Sequence, residues 1–290
     1  MKGSTKEIIQ RHGIKLTKSL GQNFLTDDNI VKRIVSTGSV GHEDLVIEVG
    51  PGIGSMTCEL AERAGHVIAI EIDRHLIPAL EENLKEYTNV TLINKDILEM
   101  DLEDLFKSEK VLEGVRSKFE NIKVVANLPY YITTPIIMKF LEGSLKIHSM
   151  VFMIQKEVAE RMAAKPGGKD YGALSVAVQY YSKPEMVFTV PPQCFIPQPE
   201  VDSAVVRLNI FQEPPVKLLK QKIFFKTVKA AFGQRRKTLL NALSNSGTFI
   251  ETKEEIRGIL ERLGIQENQR GETLTIQQFA ELANAFSIRN

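Results

Sequence analysis

The sequence predicts an α/β protein with a mostly parallel sheet, followed by a small all-helical domain. From residue 45 onward, short β-branched runs alternate with helical patterns, which is typical of a parallel sheet covered by helices. After residue 212 the strand signals end and apolar residues recur at helical spacing. Because 290 residues are about twice the usual length of one domain, we expect two domains, over 1–212 and 213–290.

The strands of the parallel part are predicted from five short apolar runs rich in β-branched residues. They are Leu45–Val49, His66–Ile72, Val90–Asn94, Ile122–Asn127 and Met150–Ile154. Helices are predicted at Met56–Ala64, Arg74–Tyr87 and Lys156–Lys165. Gly65 directly follows the first helix, where glycine favours a left-handed C-terminal cap.

Two further strands are predicted at Leu174–Tyr181 and Ser203–Asn209. The segment between them, Pro184–Pro199, is proline-rich and non-helical, which suits a partly antiparallel edge of the sheet. Beyond it, the helical domain is predicted from apolar residues at helical spacing, namely Leu218, Phe225, Val228, Phe232, Leu239, Leu240 and Leu243.

The composition is that of an ordinary globular protein. With 43% hydrophobic and 25% charged residues, it excludes disordered, collagen-like and coiled-coil classes. Cys58 and Cys194 form no CxxC pair and the five histidines show no ligand spacing, so no disulfide framework and no metal site are expected. No apolar run reaches the ~18 to 20 residues of a membrane span, and the N-terminus lacks the apolar run of a signal peptide. A soluble, cytoplasmic protein is expected.

Positive charge is unevenly distributed although the net charge is +1. Both the first 18 residues and the segment Lys217–Lys237 are strongly basic, and the latter contains no acidic residue. Such runs favour a polyanion as partner, with a solvated helix face as the alternative. The residues expected to contact the polyanion are Lys222, Lys226, Lys229, Arg235, Arg236 and Lys237. The first three are spaced i, i+4 and i+7, which places them on one helix face.

A glycine loop links the first strand of the parallel part to the first helix. Gly50, Gly52 and Gly54 allow a sharp turn and a close approach of the backbone to a ligand. Glu71 ends the next strand, 21 positions after Gly50, where a carboxylate reaches ribose hydroxyls in doubly wound nucleotide folds. The pair predicts a nucleoside-containing cofactor, and the alternative is a plain strand-to-helix connection.

The details of this loop disfavour a dinucleotide. A G-x-G-x-x-G fingerprint starting at Gly50 needs a third glycine where Ser55 stands. The pattern E-x-G-x-G-x-G, which starts at Glu48, instead resembles the first motif of Rossmann-like S-adenosylmethionine-dependent methyltransferases. In that fold an acid after the third strand contacts the adenine amino group, and Asp96 holds this place. Alternatively, Asp96 caps a helix that starts at Ile97.

Asn127-Leu128-Pro129-Tyr130 closes the fourth strand and resembles the [DNS]-x-P-[YFW] motif of methyltransferases that act on conjugated amino groups. An exocyclic adenine amine is a poor nucleophile until its conjugation with the ring is reduced. The Asn127 side-chain oxygen and the Leu128 carbonyl are suited to accept the two N6 hydrogens. Pro129 stiffens the loop, and Tyr130 is suited to stack on a flipped base. The alternative is a strand-ending turn with a core aromatic.

Four segments together resemble the ribosomal RNA adenine N6,N6-dimethyltransferases, most closely their bacterial 16S rRNA type. These segments are Lys18–Leu25, the glycine loop, Asn127–Tyr130 and Phe195–Ser203. The resemblance implies that Asn23 and Leu25 contact the cofactor, together with Gly50, Gly52, Glu71, Asp96 and Asn127. It also implies that Phe195 packs on the target base opposite Tyr130, although the residues alone indicate a core aromatic under a proline-rich loop.

The implied activity is the dimethylation of two adjacent adenines in the 3′-terminal hairpin of 16S rRNA, with S-adenosylmethionine as methyl donor. The partner is then the small ribosomal subunit or its precursor, and the role lies in small-subunit biogenesis. A monomer without a membrane or metal partner is expected. Two alternatives stay open: a 23S rRNA dimethyltransferase of the macrolide-resistance type, and a non-catalytic ribosome-assembly or transcription factor with the same fold.

Overall fold

The computed structural model describes residues 3–14, 21–103, 106 and 115–288. The strands are β1 (Phe24–Leu25), β2 (Asp44–Val49), β3 (His66–Glu71), β4 (Val90–Asn94), β5 (Asn121–Asn127), β6 (Ser149–Gln155), β7 (Ser182–Val190), β8 (Phe195–Ile196) and β9 (Ser203–Ile210). The α-helices are α1 (Thr5–Arg11), α2 (Asp28–Thr37), α3 (Ser55–Ala61), α4 (Ile77–Leu84), α5 (Thr133–Glu142), α6 (Lys156–Ala163), α7 (Ala173–Tyr181), α8 (Gln221–Gly233), α9 (Leu239–Ser244), α10 (Lys253–Arg262) and α11 (Ile276–Ser287).

Seven of these strands form one sheet in the order β4-β3-β2-β5-β6-β9-β7. The strands from β4 to β6 are parallel, whereas β9 runs antiparallel to β6. All six residues of β2 are buried, as expected for a central parallel strand covered on both faces. The reversal of order between β2 and β5 places the carboxyl ends of both strands beside a crevice, the usual ligand site of such sheets.

The predicted strands of the parallel part are confirmed, with ends shifted by at most one residue. The prediction of a strand at Leu174–Tyr181 is wrong, because α7 occupies this segment. Val176 and Tyr180, four residues apart, are both buried in a hydrophobic core formed mainly with residues after 215. At the start of the helix, the Gly172 N–H donates to the Ser175 hydroxyl at 3.0 Å. A short apolar run is compatible with both the helical and the strand period, so its packing in the folded protein determines which of the two forms. The edge strand β7 follows and overlaps the segment Pro184–Pro199, which is predicted to be non-helical.

Gly65 also differs from its prediction, since its backbone is not left-handed. A Cβ at this position would lie 2.1 Å from the His42 carbonyl oxygen and 2.2 Å from the Phe119 ring. Glycine is therefore needed for space and not for a cap.

The chain forms two compact units, Met1–Ala159 with Glu185–Ile210, and Glu160–Pro184 with Phe211–Asn290. The helices after residue 211 are thus grouped with the segment 160–184, which the sequence pattern assigns to the α/β domain. The second unit has its own core, in which α7, α8 and α11 contribute buried residues such as Tyr180, Phe224 and Phe279. Among the described residues, no helix is long and apolar enough to cross a membrane.

Candidate active site at the carboxyl ends of the strands

A cavity lies at the carboxyl ends of β2, β3, β4 and β5, within the first unit. It is lined by almost all the residues predicted for the cofactor and for the reaction: Asn23, Leu25, Gly50, Gly52, Glu71, Asp96, Asn127, Leu128, Pro129 and Tyr130. Residues 18–20, which belong to the first motif, lie outside the described residues.

The glycine loop forms the floor of this cavity. Gly50, Gly52 and Gly54 have φ values of +68°, +63° and +89°, which glycine adopts without strain. The Gly50 N–H donates to the Ile70 carbonyl at 2.9 Å, which ties the loop to β3. A Cβ at Gly52 would lie 3.0 Å from the Phe24 ring. The sequence therefore needs glycine here both for the turn and for the close approach of the N-terminal segment.

Glu71, the last residue of β3, is fixed by two backbone bonds. Its Oε2 accepts the Gly52 N–H at 3.1 Å, and its Oε1 accepts the Asp73 N–H at 2.8 Å. Only 4% of the residue is exposed, and this burial raises its pKa to about 7. The bond to Gly52 holds the carboxylate beside the glycine loop, as predicted from the spacing of the two motifs.

Glu48 is a site residue that sequence reasoning used only as part of a motif. It lies on β2, is 1% exposed and lines the cavity. Among the described residues, neither of its carboxylate oxygens makes a well-formed hydrogen bond. Burial raises its pKa to about 8, the nearby Thr57 hydroxyl acts in the opposite direction, and the neighbouring charge of Glu71 acts in the same direction as burial. A cationic group of a ligand would favour the ionised form of this buried carboxyl group, so Glu48 is suited to release its proton and pair with such a group.

Asp96 lies half-buried in the cavity wall after β4. Its Oδ1 accepts the Leu98 N–H at 2.8 Å, so the side chain caps a turn. Ile72 and Ile97 line the cavity next to Glu71 and Asp96, and Ile72 is 46% exposed. An exposed apolar residue directly after a strand-ending acid is a signal for a ring-binding surface that the sequence analysis missed.

The Asn127 amide is oriented by the chain segment that crosses the cavity. Its Nδ2 donates to the Asn23 carbonyl at 3.1 Å, and among the described residues its Oδ1 has no donor. The Asn23 side chain bonds back to the Gly21 carbonyl at 3.2 Å, and Gln22 donates to Asp73 at 2.7 Å. The geometry therefore leaves an amide oxygen at the end of β5 available to a substrate N–H.

The segment Asn127–Tyr130, here called the reacting loop, is held at further points by hydrogen bonds. The Leu128 N–H donates to the Met153 carbonyl at 3.1 Å, and Leu128 is 1% exposed. The Tyr130 and Ser203 hydroxyls are 2.6 Å apart. Tyr131, which the sequence analysis did not single out, is 54% exposed, and its ring packs over Gly21, where a Cβ would lie 3.0 Å away.

The structure does not bring Phe195 into the cavity. This residue is 1% exposed and packs in a core cluster with Val31, Ile34 and Val205. It pairs with Leu25 between β1 and β8, so its side chain supports the wall behind the cavity. The role on the target base that the resemblance implies for Phe195 therefore has no support from its position, and the interpretation as a core aromatic fits it.

The basic residues of the second unit lie on and after α8. Lys222, Lys226 and Lys229, here called the basic face, are exposed, whereas Phe224 and Val228 point into the core. None of the three lysines has an ion pair among the described residues. Arg235, Arg236 and Lys237 follow the helix and are exposed. Arg235 donates to the Lys169 carbonyl at 2.6 Å and lies 3.6 Å from Glu272, so its charge is partly neutralised.

A sheet with this strand order, a glycine loop after β2, an acid at the end of β3 and Asn-Leu-Pro-Tyr after β5 defines a Rossmann-like S-adenosylmethionine-dependent methyltransferase. The predicted fold class is thereby confirmed. The family model described as Ribosomal RNA adenine dimethylase matches residues 13–286, and the chain belongs to this family. It is an S-adenosylmethionine-dependent ribosomal RNA adenine dimethyltransferase.

Individual relatives agree with the family. The chain is 55% identical over 280 residues to the ribosomal RNA small subunit methyltransferase A of Alkaliphilus oremlandii, which covers 97% of this chain and 95% of that relative. The crystal structure of a dimethyladenosine transferase from Plasmodium falciparum matches with a TM-score of 0.76 at 24% identity, covering 92% and 98% of the two chains. The crystal structure of the 23S rRNA methyltransferase ErmE matches with a TM-score of 0.67 at 26% identity, covering 91% and 100%.

The cavity fits the cofactor of the family. Among the described residues, the charged side chains that line it are Glu48, Glu71, Asp96 and Lys95. These three acidic groups suit a ligand with a sulfonium, an ammonium and ribose hydroxyls, because a bound cation favours their ionised forms, whereas an anionic pyrophosphate gains no such pairing. The glycine backbone and the exposed Ile72 add a close floor and an apolar surface for the adenosine.

Proposed function

We propose that this protein dimethylates N6 of two adjacent adenines in the 3′-terminal hairpin of 16S rRNA, on the small ribosomal subunit or its precursor. The small-subunit target is supported by the 55% identity, over nearly the whole chain, to a protein named as a ribosomal RNA small subunit methyltransferase. The match to ErmE, at 26% identity, supports the 23S target less. We further propose that the protein acts in the cytoplasm, as a monomer, during small-subunit biogenesis.

The cofactor is proposed to lie between the glycine loop and the reacting loop. Glu71 binds the ribose hydroxyls, Asp96 accepts from the adenine amino group, and Ile72 packs on the adenine ring. The backbones of Gly50 and Gly52, together with Asn23 and Leu25, enclose the methionyl part, and Glu48 faces its positive charge. When bound, S-adenosylmethionine supplies an electrophilic methyl group on a sulfonium.

Asn127 and Leu128 are proposed to prepare the nucleophile. The Asn127 Oδ1 and the Leu128 carbonyl accept the two N6 hydrogens of the target adenine, which favours a pyramidal nitrogen and frees its lone pair. The bond from the Asn127 Nδ2 to the Asn23 carbonyl supports this role, because it selects the oxygen as the group that faces the substrate. With S-adenosylmethionine bound, the N6 lone pair would form the new bond to the methyl carbon as the carbon–sulfur bond breaks, S-adenosylhomocysteine would leave as a neutral thioether, and the alkylated nitrogen would lose a proton to water. Positioning and electrostatics supply most of the rate.

Tyr130 is proposed to stack on the adenine after the base has left its helix, and Pro129 stiffens the loop beneath it. The basic face of α8, together with Arg236 and Lys237, is proposed to bind RNA phosphates through salt-sensitive contacts of low sequence specificity. Arg235 contributes less, because the Lys169 carbonyl and Glu272 already engage it. Of the basic N-terminal residues, Lys2, Lys15 and Lys18 lie outside the described residues, and Arg11 pairs with Glu82 at 2.9 Å.

The target is tested by mass spectrometry of rRNA after incubation with the protein and labelled S-adenosylmethionine. Small-subunit particles that lack the methyl marks are compared with naked large-subunit rRNA. Two dimethylated adenines in the small-subunit rRNA are expected. Labelling of the large-subunit rRNA alone would assign the protein to the macrolide-resistance type, and no labelling of either would favour a non-catalytic assembly factor.

The reacting loop is tested by Asn127→Ala. Because the variant loses the acceptor oxygen for N6, methyl transfer is expected to fall by about 100-fold or more, while the Kd for S-adenosylmethionine stays nearly unchanged. Asn127→Asp keeps an acceptor oxygen for N6 but loses the Nδ2 donor to the Asn23 carbonyl, so it is expected to react more slowly than the wild type and faster than Asn127→Ala. Wild-type turnover of Asn127→Ala would refute the assigned role.

A further inference from the structure

Ser203 is a fully buried polar residue at the end of the segment Phe195–Ser203, and no role has been given to it above. It is 0% exposed and is the first residue of β9, directly after the proline-rich loop. Its hydroxyl lies 2.6 Å from the hydroxyl of Tyr130. Tyr130 begins one turn of 3-10 helix, Tyr130–Ile132, that follows β5. One side chain of the reacting loop is therefore hydrogen-bonded to a strand that is 73 residues away in the chain.

The two ends of this hydrogen bond differ in rigidity. Ser203 pairs with Gln155, at one end of an antiparallel ladder that runs over seven residue pairs to Ser149 and Asn209. The preceding residue, Asp202, accepts the Lys156 N–H at 3.0 Å, so the chain is also fixed on entering β9. Tyr130, in contrast, lies in a short turn and its ring is only half-buried. The ladder therefore holds the Ser203 oxygen in place, and the tyrosine depends on that oxygen for its orientation.

The phenol can make this bond throughout the working pH range. Burial raises the pKa of Tyr130, and the bond to Ser203 acts in the opposite direction. The hydroxyl is consequently protonated near neutral pH, and either oxygen can donate to the other. A ring that is fixed at its tip as well as at Cα has a single orientation toward the cavity that it lines.

We infer that Ser203 is a positioning residue for the target adenine, acting through the Tyr130 hydroxyl to fix the ring on which the flipped base stacks. This inference rests on the proposed role of Tyr130. It explains why a tyrosine, rather than a phenylalanine, is useful at this position: the ring supplies the stacking surface and the hydroxyl sets its angle. Small errors in the placement of a reacting group reduce rates strongly.

The inference is tested with Ser203→Ala, Tyr130→Phe and the double variant, in single-turnover methyl transfer to unmethylated small-subunit particles at saturating RNA and cofactor. Each single substitution removes the same hydrogen bond, so each is expected to slow transfer by between about 3-fold and about 10-fold. The double variant is expected to be no slower than either single variant, because the interaction is already absent. The Kd for S-adenosylmethionine is expected to stay within about 2-fold of the wild type, since the two hydroxyls engage each other and neither residue is among those proposed to hold the cofactor.

A matched control is Ser182→Ala. Ser182 is also a buried serine at the start of a strand, and its hydroxyl donates to the Val178 carbonyl at 3.0 Å, away from Tyr130. This variant is expected to transfer methyl groups at the wild-type rate. If Ser203→Ala does not fold, Ser203→Cys keeps a side chain of similar shape and loses the strong hydrogen bond, and Tyr130→Phe removes only the hydroxyl oxygen of the ring.

Two results would overturn the inference: a double variant slowed by the product of the two single effects, or Ser203 variants that transfer as fast as Ser182→Ala. Failure of the proposed function is a separate outcome, reported by Tyr130→Ala. If that variant reacts at the wild-type rate, the base does not stack on Tyr130, whatever Ser203 does. If Tyr130→Ala is inactive and the Ser203 variants react at the wild-type rate, the result supports stacking of the base on Tyr130 and refutes the positioning role of Ser203.

Discussion

Replacing Glu48 by glutamine should stabilise the cofactor-free protein in a pH-dependent manner. Glu48 is 1% exposed, and neither of its oxygens makes a well-formed hydrogen bond among the described residues. In the folded protein its pKa is raised to about 8 by burial, against 4.5 for a solvated glutamate. Between these two values the folded protein holds a proton that the unfolded chain has released. The free energy of unfolding therefore falls as the pH rises from about 4.5 to about 8.

The size of the effect follows from the two pKa values. At about 1.4 kcal/mol per pKa unit, the loss amounts to about 3 kcal/mol at pH 7 and to about 5 kcal/mol above pH 8. A glutamine side chain is neutral at every pH and of similar volume, so the variant escapes this loss. The stability of Glu48→Gln relative to the wild type is thus expected to be near zero at pH 4 and to increase steadily up to pH 8.

The assay is urea unfolding of the cofactor-free protein at a series of pH values, followed by circular dichroism. Glu142→Gln, on the exposed side of α5, is the control for the loss of one surface carboxylate. In a separate titration, Glu48→Gln should bind S-adenosylmethionine more weakly than the wild type, because the carboxylate that faces the positive charge is missing. A stability difference of the same size at pH 5 and pH 8, or a variant that is less stable at pH 8, would refute the reasoning.

Two further substitutions test other parts of the molecule. Replacing the three lysines of the basic face by Ala should weaken binding to small-subunit rRNA and reduce the slope of log K against log[salt] by about 2 to 3, whereas an equal slope would exclude this helix from the RNA interface. The charge-matched control replaces three exposed lysines elsewhere: Lys32, Lys85 and Lys146. Gly65→Ala should lower the free energy of unfolding by about 1–3 kcal/mol or more, because its Cβ would lie 2.1 Å from a carbonyl oxygen. Gly258→Ala, in the open interior of α10, should be neutral or stabilising, and equal effects of the two substitutions would contradict the steric argument.

The parallel part of the sheet was predictable because burial on both faces leaves an unmistakable pattern. β2, whose six residues are all buried, is a mostly apolar run between turn signals, and the glycine loop marks where it ends. The segment 173–190 was less tractable. Val176, Val178 and Tyr180 alternate as in a strand, yet α7 forms because its apolar side fits the second core. The exposed and half-buried residues of β7 alternate regularly, but prolines in and around this edge strand concealed the pattern.

The site divides in a similar way. Backbone geometry at Gly50 and the place of Glu71 follow from residue type and spacing, because turns and strand ends obey local rules. The position of Phe195 does not, since an aromatic beside prolines is equally plausible in a core or on a substrate, and only the pairing of β1 with β8 decides. The partners of Asn127 and Tyr130 are not predictable from local sequence patterns, because Asn23 and Ser203 are 104 and 73 residues away from them and only the tertiary fold brings them together.

Asn23 and Ser203 orient different side chains of the reacting loop. The Asn23 carbonyl engages the donor end of the Asn127 amide and so leaves an acceptor for the nucleophile, whereas Ser203 engages the phenol tip and so fixes the stacking surface. The first contact comes from the segment that also lines the cofactor cavity, and the second from a strand on the other side of β6. Loss of either contact should therefore slow transfer more than it weakens cofactor binding, because the first loss lets the Asn127 amide turn away from N6 and the second frees the Tyr130 ring. The motif residues Asn127 and Tyr130 identify the chemistry as methyl transfer to an adenine, and the long-range hydrogen bonds to Asn23 and Ser203 orient these two side chains for it.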